Sequence, residues 1–426
     1  MSATLRTVTL GCKVNQYETE LVREALFGAG YLNAALDEPA DVCFVNTCTV
    51  TSEGDSKSRK AIRRLAKDNP GARIVVMGCY ATRAPQELAG LPGVAEVVAD
   101  RRELPDVLGR FGVADLPSGI SRFGDRSRAY VKVQDGCMLR CSYCIIPKVR
   151  PSLTSRPVEH VLDEVRRLLD NGYREIVLTG VHLGHFGVDW NWRKPKPEWI
   201  RLSNLLREIV QIDGDFRIRL SSLEATEVTR ELVDVMAEFD EKVCPHLHVC
   251  LQSGSDAVLR RMKRRWSVRS FADRCRLVRE SLDRPAFTTD IMVGFPGETD
   301  EDFERTCQVV REVGFSKIHV FPFSLRRGTL AADMPNMIPK SVKSERSKHL
   351  MAIERELRME YFESLIGRSL RVLVESPSEI HVDRVVGTSC RYAPVELPGD
   401  LQVCGKLVDV VANAVTDDQY VEALPL

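Results

Sequence analysis

No stretch of the 426 residues approaches the ~20 consecutive apolar residues that a membrane-spanning helix requires. The N-terminus, Met1-Ser2-Ala3-Thr4-Leu5-Arg6, also lacks the apolar segment of a secretory leader. These absences lead us to expect a cytoplasmic protein without membrane attachment. Net charge is missing as well: 60 basic residues offset 60 acidic ones, so a nucleic-acid partner has to be met by local patches rather than a global field. A reducing compartment excludes a disulfide framework for the thirteen cysteines and makes metal or cluster ligation the better default. The chain is also too long for one ordinary core, so two to four domains are expected.

What is present begins with Asp135-Gly136-Cys137-Met138-Leu139-Arg140-Cys141-Ser142-Tyr143-Cys144, a C-x3-C-x2-C pattern. Three thiols within eight residues can face one centre and hold three corners of a cubane iron–sulfur cluster, leaving the fourth iron open to a ligand. No fourth cysteine follows closely, which argues against a ferredoxin-like electron carrier. A structural zinc knuckle completed by His160 or His182 is the alternative.

The N-terminal third repeats a strand, turn and helix pattern. Leu5–Leu10 leads to Gly11-Cys12 and a helical run from Gln16 to Phe27; Val42–Val45 leads to Asn46-Thr47-Cys48 and a basic helix; Arg73–Met77 leads to Gly78-Cys79; a further strand falls near Glu96–Val98. Such βα units imply a parallel, flavodoxin-like sheet whose ligands lie beyond the carboxyl ends of its strands. Cys12, Cys48 and Cys79 fall there, so a second three-cysteine site is expected, against the plainer reading of three turn residues. The remaining cysteines, Cys43, Cys244, Cys250, Cys275, Cys307, Cys390 and Cys404, read as small core residues.

From Tyr130 onward, six strand-like runs alternate with helical ones: 130–133, 175–178, 216–220, 246–251, 287–293 and 317–321. They predict a partial (β/α)6 barrel with its site at the strand ends. Polar or glycine-bearing groups stand at those ends: Thr179-Gly180, Glu224, Gln252-Ser253, and Gly294-Phe295-Pro296-Gly297. A helix from Ser341 to Leu365 follows, and five short runs near 371–374, 382–386, 395–397, 406–411 and 420–423 predict a small OB-like β-barrel. Residues 113–127 read as a linker, dividing the chain into 1–112, 128–366 and 367–426. Cationic runs at Lys57–Lys67, which includes Arg63 and Arg64, and at Arg260–Arg265 before Trp266 suit phosphate contact, or are solvated helix faces. The last sixty residues carry five basic against nine acidic residues, so Arg391 would need Arg368 and Arg371 beside it to form a patch.

These motifs resemble the radical S-adenosylmethionine methylthiotransferases over essentially the whole chain. Cys137, Cys141 and Cys144 fit the radical signature, and Thr9-Leu10-Gly11-Cys12, Asn46-Thr47-Cys48 and Met77-Gly78-Cys79 fit the N-terminal motifs. Gly11-Cys12-Lys13-Val14-Asn15-Gln16-Tyr17-Glu18-Thr19-Glu20 and Phe321–Thr329 are most similar to the branch acting on N6-threonylcarbamoyladenosine in tRNA. Sister branches act on isopentenyladenosine or on a ribosomal-protein aspartate, and a zinc-dependent RNA-binding module without catalysis is the reading from another class.

The resemblance implies two [4Fe–4S] clusters and S-adenosylmethionine. It implies a 5′-deoxyadenosyl radical that abstracts hydrogen from C2 of the adenine, and insertion of a sulfur that becomes methylated. Tyr143, Thr179, Gly180, Glu224, Gln252, Ser253, Gly294, Pro296 and Gly297 are then the cofactor-binding candidates, and Arg63, Arg64, Arg264, Arg265 and Arg391 the RNA-binding ones. The expected partners are a tRNA anticodon stem-loop and a one-electron reductant protein, with the enzyme a monomer and its C-terminal barrel of the TRAM-like kind. The sequence departs from the family pattern at Pro151, Trp266, Leu325 and Arg327.

Overall fold

The run Val42–Thr47 is buried at all six positions, the signature of a central parallel strand covered on both faces. In the computed structural model, which describes residues 3–35, 37–124 and 126–426, it becomes the middle of a five-stranded parallel sheet. The strands are β1 (Thr4–Thr9), β2 (Leu32–Asn33), β3 (Val42–Thr47), β4 (Arg73–Gly78) and β5 (Val94–Val97), in the order β2-β1-β3-β4-β5. Side-chain alternation splits the core in two. Leu5, Phe44 and Val75 pack with Val22, Leu26 and Phe111 on one face; Val45, Ile74 and Val76 pack with Ile62, Leu65, Tyr80 and Leu88 on the other.

Helices α1 (Lys13–Gly28), α2 (Ser52–Asp68) and α3 (Cys79–Arg83) start just past strand ends. The Thr51 hydroxyl caps α2 by accepting from the Gly54 N–H at 3.0 Å, with Glu53 and Asp55 in the first turn against the helix dipole.

The chain divides into two compact units: Met1–Gly124 with Tyr130–Leu168 and Ser324–Ala332, and Asp125–Ala129 with Leu169–Phe323 and Asp333–Leu426. The first therefore contains the parallel sheet, most of β6 (Arg128–Asp135), the cysteine loop after it, and β7 (Thr154–Ser155), which pairs antiparallel to β6. Residues 113–127, read as a linker, have buried side chains at Ile120 and Phe123, and the Ile120 N–H donates to Glu164 Oε1 at 2.7 Å.

In the second unit, β8 (Glu175–Gly180) pairs in parallel with β9 (Arg217–Leu220). A further parallel sheet runs β10 (Ser222–Leu223), β11 (His246–Val249), β12 (Ala286–Val293), β13 (Lys317–Pro322). These are the alternating strands expected from 175 onward, with helices between them. The helix Lys340–Glu363 leads to β14 (Ser369–Pro377), β15 (Arg384–Ser389), β16 (Pro394–Pro398), β17 (Leu407–Val415) and β18 (Val421–Pro425), a closed barrel in the order β14-β15-β16-β18-β17. Its core is Leu370, Val372, Val374, Val385, Val395, Leu397, Val410 and Val421. The rest of the unit grips it through a buried charge network. Glu175 accepts from Arg217 and Arg219 at 2.6 and 3.1 Å, and those guanidiniums also donate to the carbonyls of Thr388 and Ser389 at 2.7 and 2.9 Å. Among the described residues no helix is long and apolar enough to cross a membrane.

Candidate functional site

Register explains why three distant cysteines meet. Thr9 pairs with Asn46, Asn46 with Met77, and Thr47 with Gly78, so the residues after β1, β3 and β4 leave the sheet at the same, carboxyl, end of its strands. Gly78 turns there with φ +98°, and a Cβ on it would stand 2.4 Å from Asn46 Oδ1, so only glycine lets Cys79 open α3 at this point. Asn15 ties the exits together: its amide donates to the carbonyls of Leu10 and Thr47 at 2.8 and 3.1 Å.

Cys12, Cys48 and Cys79 are in no disulfide. Desolvation raises the Cys48 pKa, and the nearby sulfurs of Cys79 and Cys12 raise it further. Three thiolates so close repel one another, and a bound cation removes that penalty by drawing off the protons.

The second set follows β6. Gly136 has φ +77°, with its α-carbon so close to the chain before β7 that a Cβ would lie 2.0 Å from Ser152 O. The Gln134 side chain donates to the Gly136 carbonyl at 2.7 Å, the Cys137 N–H donates to Arg150 O at 3.2 Å, and the Cys144 N–H donates to Cys141 O at 3.1 Å. The loop is thus braced by the chain that re-enters behind it. Directly after Cys144, Ile145 and Val149 pack on Cys79 in a small buried cluster. The two cysteine sets therefore share one compact unit, joined by α3 and the helix Ile146–Val149.

Arg150 is the residue between them. It is 3% exposed, and its fork is completely used. Nε donates to Cys79 Sγ at 3.4 Å, Nη1 to Glu18 Oε1 and Asp135 Oδ1 at 2.8 Å each, and Nη2 to Glu18 Oε2 at 2.8 Å and Asn15 Oδ1 at 3.0 Å. Arg101 adds a second donor to Cys79 Sγ at 3.4 Å. Burial by itself would raise the Glu18 pKa, but the charges of Arg150 and Lys132 outweigh it and bring it down to about 2. Asp135 is driven well below the usual carboxylate range, with Lys132 and Arg150 again overcoming burial. Sequence reading gave Arg150 no role and carried Asn15 and Glu18 only as positions of the Gly11–Glu20 motif.

Of the other expected residues, Tyr143 is half-buried in the cysteine loop, whose Ser142 carbonyl accepts from the Ala331 N–H at 2.7 Å. Thr179 is buried at the end of β8, and Gly180 follows it. Gln252 takes φ +67° beyond β11. Ser253 is fully buried with Thr306 Oγ1 3.4 Å from its hydroxyl. The Gly294 N–H donates to Glu298 Oε2 at 2.6 Å, which shapes the turn through buried Pro296 to Gly297.

The cationic residues differ in exposure rather than in pairing, since exposed Arg64 itself pairs with Asp68 at 3.2 Å. Arg63 and Arg64 are exposed on α2, whose opposite face buries Ile62 and Leu65. Arg265 is exposed. Arg264 is turned onto Glu224, donating at 2.9 Å, with Trp266 buried beneath it at 4.1 Å, so neither is presented to a phosphate or a base. Arg391 is paired with Asp283 at 2.9 Å, Arg368 pairs with the same carboxylate at 2.8 Å, and Arg371 pairs with Asp215. Arg368 and Arg391 thus share one carboxylate, which is itself 64% exposed. Cys390 and Cys404, expected in the core, are half-exposed, whereas Cys43, Cys244, Cys250, Cys275 and Cys307 are buried.

His160 is exposed, and His182 contacts Glu227 and stacks on His185 at 3.6 Å. Sequence reading also missed a cavity of about 500 Å³ lined by Trp192, Arg193, Lys194, Trp199 and Arg201, with Trp192 78% exposed. The run Trp190-Asn191-Trp192-Arg193-Lys194 was its visible signal.

The donor sets fit iron–sulfur clusters: each offers three thiols, and two guanidiniums face Cys79, where an anionic cluster gains from positive charge.

The Radical SAM superfamily profile matches residues 131–310, and that of Uncharacterized protein family UPF0004 matches residues 4–100. A threonylcarbamoyladenosine tRNA methylthiotransferase, MtaB, of Bacillus subtilis is 39% identical, the match covering 96% of this chain and 93% of the relative. Its Chlamydia pneumoniae counterpart is 39% identical over 88% of this chain and 87% of its own length. A tRNA-2-methylthio-N(6)-dimethylallyladenosine synthase of Moorella thermoacetica is 32% identical over 96% and 95%. Among solved structures, the radical S-adenosylmethionine methyltransferase TsrM of Kitasatospora setae shares the fold at TM-score 0.56 and 15% identity, over 78% of this chain and 77% of that one. With relatives this similar along nearly its full length and both cysteine sets in place, the chain belongs to the radical S-adenosylmethionine methylthiotransferase family.

Proposed function

We propose that the enzyme adds a methylthio group at C2 of the N6-threonylcarbamoyladenosine beside the anticodon of tRNA. The observation that carries this reading is that one compact unit holds two complete sets of three cysteines, bridged by Arg150.

Cys137, Cys141 and Cys144 would hold one [4Fe–4S] cluster and Cys12, Cys48 and Cys79 another. When bound, these groups and S-adenosylmethionine supply the one-electron cleavage and the sulfur transfer that the protein cannot perform itself. Arg150 and Arg101 hold positive charge against the Cys79 sulfur, Asn15 and Gly78 fix where that sulfur sits, and Gly136 lets the second loop close.

Thr179, Gly180, Glu224, Gln252, Ser253, Gly294, Pro296 and Gly297 keep their assignment to S-adenosylmethionine, as does Tyr143. Arg63, Arg64 and Arg265 keep theirs to tRNA. A cytoplasmic monomer served by a one-electron reductant protein completes the reading, with residues 1–112, 128–366 and 367–426 as its three domains.

The relatives named for threonylcarbamoyladenosine reach 39% identity and the one named for dimethylallyladenosine 32%, which favours the first substrate over the second. The reconstituted enzyme, given reductant and S-adenosylmethionine, should add the methylthio mass to tRNA carrying threonylcarbamoyladenosine and leave tRNA carrying isopentenyladenosine and the ribosomal protein unchanged. Cys144→Ala should retain one cluster and release no 5′-deoxyadenosine. Product on isopentenyladenosine alone, or a single cluster in the wild type, would overturn the assignment.

A further inference from the structure

The sheet β10-β11-β12-β13 has two chemically different faces. Leu247 and Val249 of β11, Phe287, Ile291 and Val293 of β12, and Ile318 of β13 are buried and alternate with a second set of side chains. That set holds His246 and His248, Thr288 and Asp290, and Lys317 and His319, with Ala286 at one end of the row and Met292 and Phe321 at the other. Pairing sets Asp290 opposite His319 and His248 opposite Thr288. His248, Asp290 and His319 therefore stand side by side across three adjacent strands.

Each contributes one atom able to ligate a metal, and the three atoms lie within 4.8 Å of one another. His248 Nε2 stands 3.5 Å from Asp290 Oδ2, is buried, and has no hydrogen-bond partner among the described residues. The other ring nitrogen, Nδ1, is 3.0 Å from Thr288 Oγ1, and that hydroxyl is also 3.0 Å from His246 Nε2. One hydroxyl can satisfy both rings by accepting the His248 Nδ1–H while donating its own proton to His246 Nε2. That assignment leaves a lone pair on His248 Nε2. An imidazole anchored through one nitrogen and presenting the other, desolvated and unpaired, toward a carboxylate and a second imidazole has the form of a metal ligand with its supporting hydrogen bond already made.

We propose that His248, Asp290 and His319 bind one divalent cation of the zinc class. Two imidazole nitrogens and a carboxylate oxygen are the donors of three-ligand zinc sites that keep a fourth position open, and they suit zinc or ferrous iron better than magnesium or calcium, which take oxygen ligands. The site uses none of the six cluster cysteines, so it stands whether or not the substrate assignment does.

The test uses the full chain with its clusters reconstituted, equilibrated with zinc sulfate and freed of excess metal, with zinc, iron and acid-labile sulfide counted on the same sample. The wild type should retain one zinc per chain with its iron and sulfide undiminished. Zinc-edge X-ray absorption should show only nitrogen and oxygen neighbours, at about 2.0–2.2 Å. Asp290→Asn, which preserves shape, and His319→Ala should each weaken zinc binding at least about tenfold while leaving the iron content intact. If His319→Ala misfolds, Asp290→Asn decides. Sulfur neighbours at about 2.3 Å would place the zinc on cysteines and overturn the proposal. Equal retention by wild type and Asp290→Asn, or no zinc in the wild type, would do the same.

Discussion

Arg150 Nε donates to Cys79 Sγ across 3.4 Å, from a guanidinium whose remaining nitrogens are held by Glu18, Asp135 and Asn15. The residue that closes the Cys137 loop through its carbonyl thus also holds a sulfur of the other cysteine set. Arg150→Lys keeps a charge but loses the planar fork. We expect methylthio product to fall about 10–100-fold, the usual cost of removing a group that orients a metal ligand. 5′-Deoxyadenosine should fall less, because the side chain touches the Cys79 sulfur directly and reaches the Cys137 loop through Asp135. Quantifying both products in one reaction checks this; an unchanged ratio refutes it.

Glu18 supplies a pH dependence with a definite sign. Its folded pKa of about 2 lies below its ordinary 4.5, so its contribution is fully present above pH 4.5 and disappears as pH falls through 2. The shift corresponds to an order of 3 kcal/mol. Glu18→Gln should therefore be less stable than wild type by about that amount at pH 7 in urea unfolding, and the gap should close between pH 4.5 and 2. A gap of the same size at both ends would assign the loss to packing instead.

Gly136→Ala tests the loop. With φ at +77° and Ser152 O in the way, the added methyl forces the turn open, at a cost of about 1–3 kcal/mol or more. Reconstituted iron should drop by half, the Cys12, Cys48 and Cys79 set keeping its share. Full iron loading would show the turn to be tolerant.

For RNA, exposure separates the cations. Arg63→Glu with Arg64→Glu should weaken tRNA binding and flatten its salt dependence, by about 0.9 in the log–log slope for each duplex phosphate that is no longer neutralised. Arg391→Glu, whose wild-type side chain is only 11% exposed against Asp283, should leave that slope unchanged. The reverse pattern would move the RNA interface to the C-terminal barrel.

The sequence by itself singled out the six cysteines as candidates and determined most of the architecture, because both are written locally. C-x3-C-x2-C is a spacing, and a cysteine just past a buried β-run falls at a strand end whatever the partners are. The strands near 175, 217, 246, 286 and 317 and the five of the C-terminal barrel were legible for the same reason: alternation and turn residues act over a few positions. Only the tertiary structure decided which charges are available. Arg150, Arg264 and Arg391 look alike as cations along the chain. Their partners lie far away in sequence, at Glu18 and Cys79, at Glu224, and at Asp283. A cation's role depends on where a carboxylate or sulfur ends up in space, and composition carries no record of that. The cluster of His248, Asp290 and His319 is the same case: strand register, not spacing, puts the three on one face.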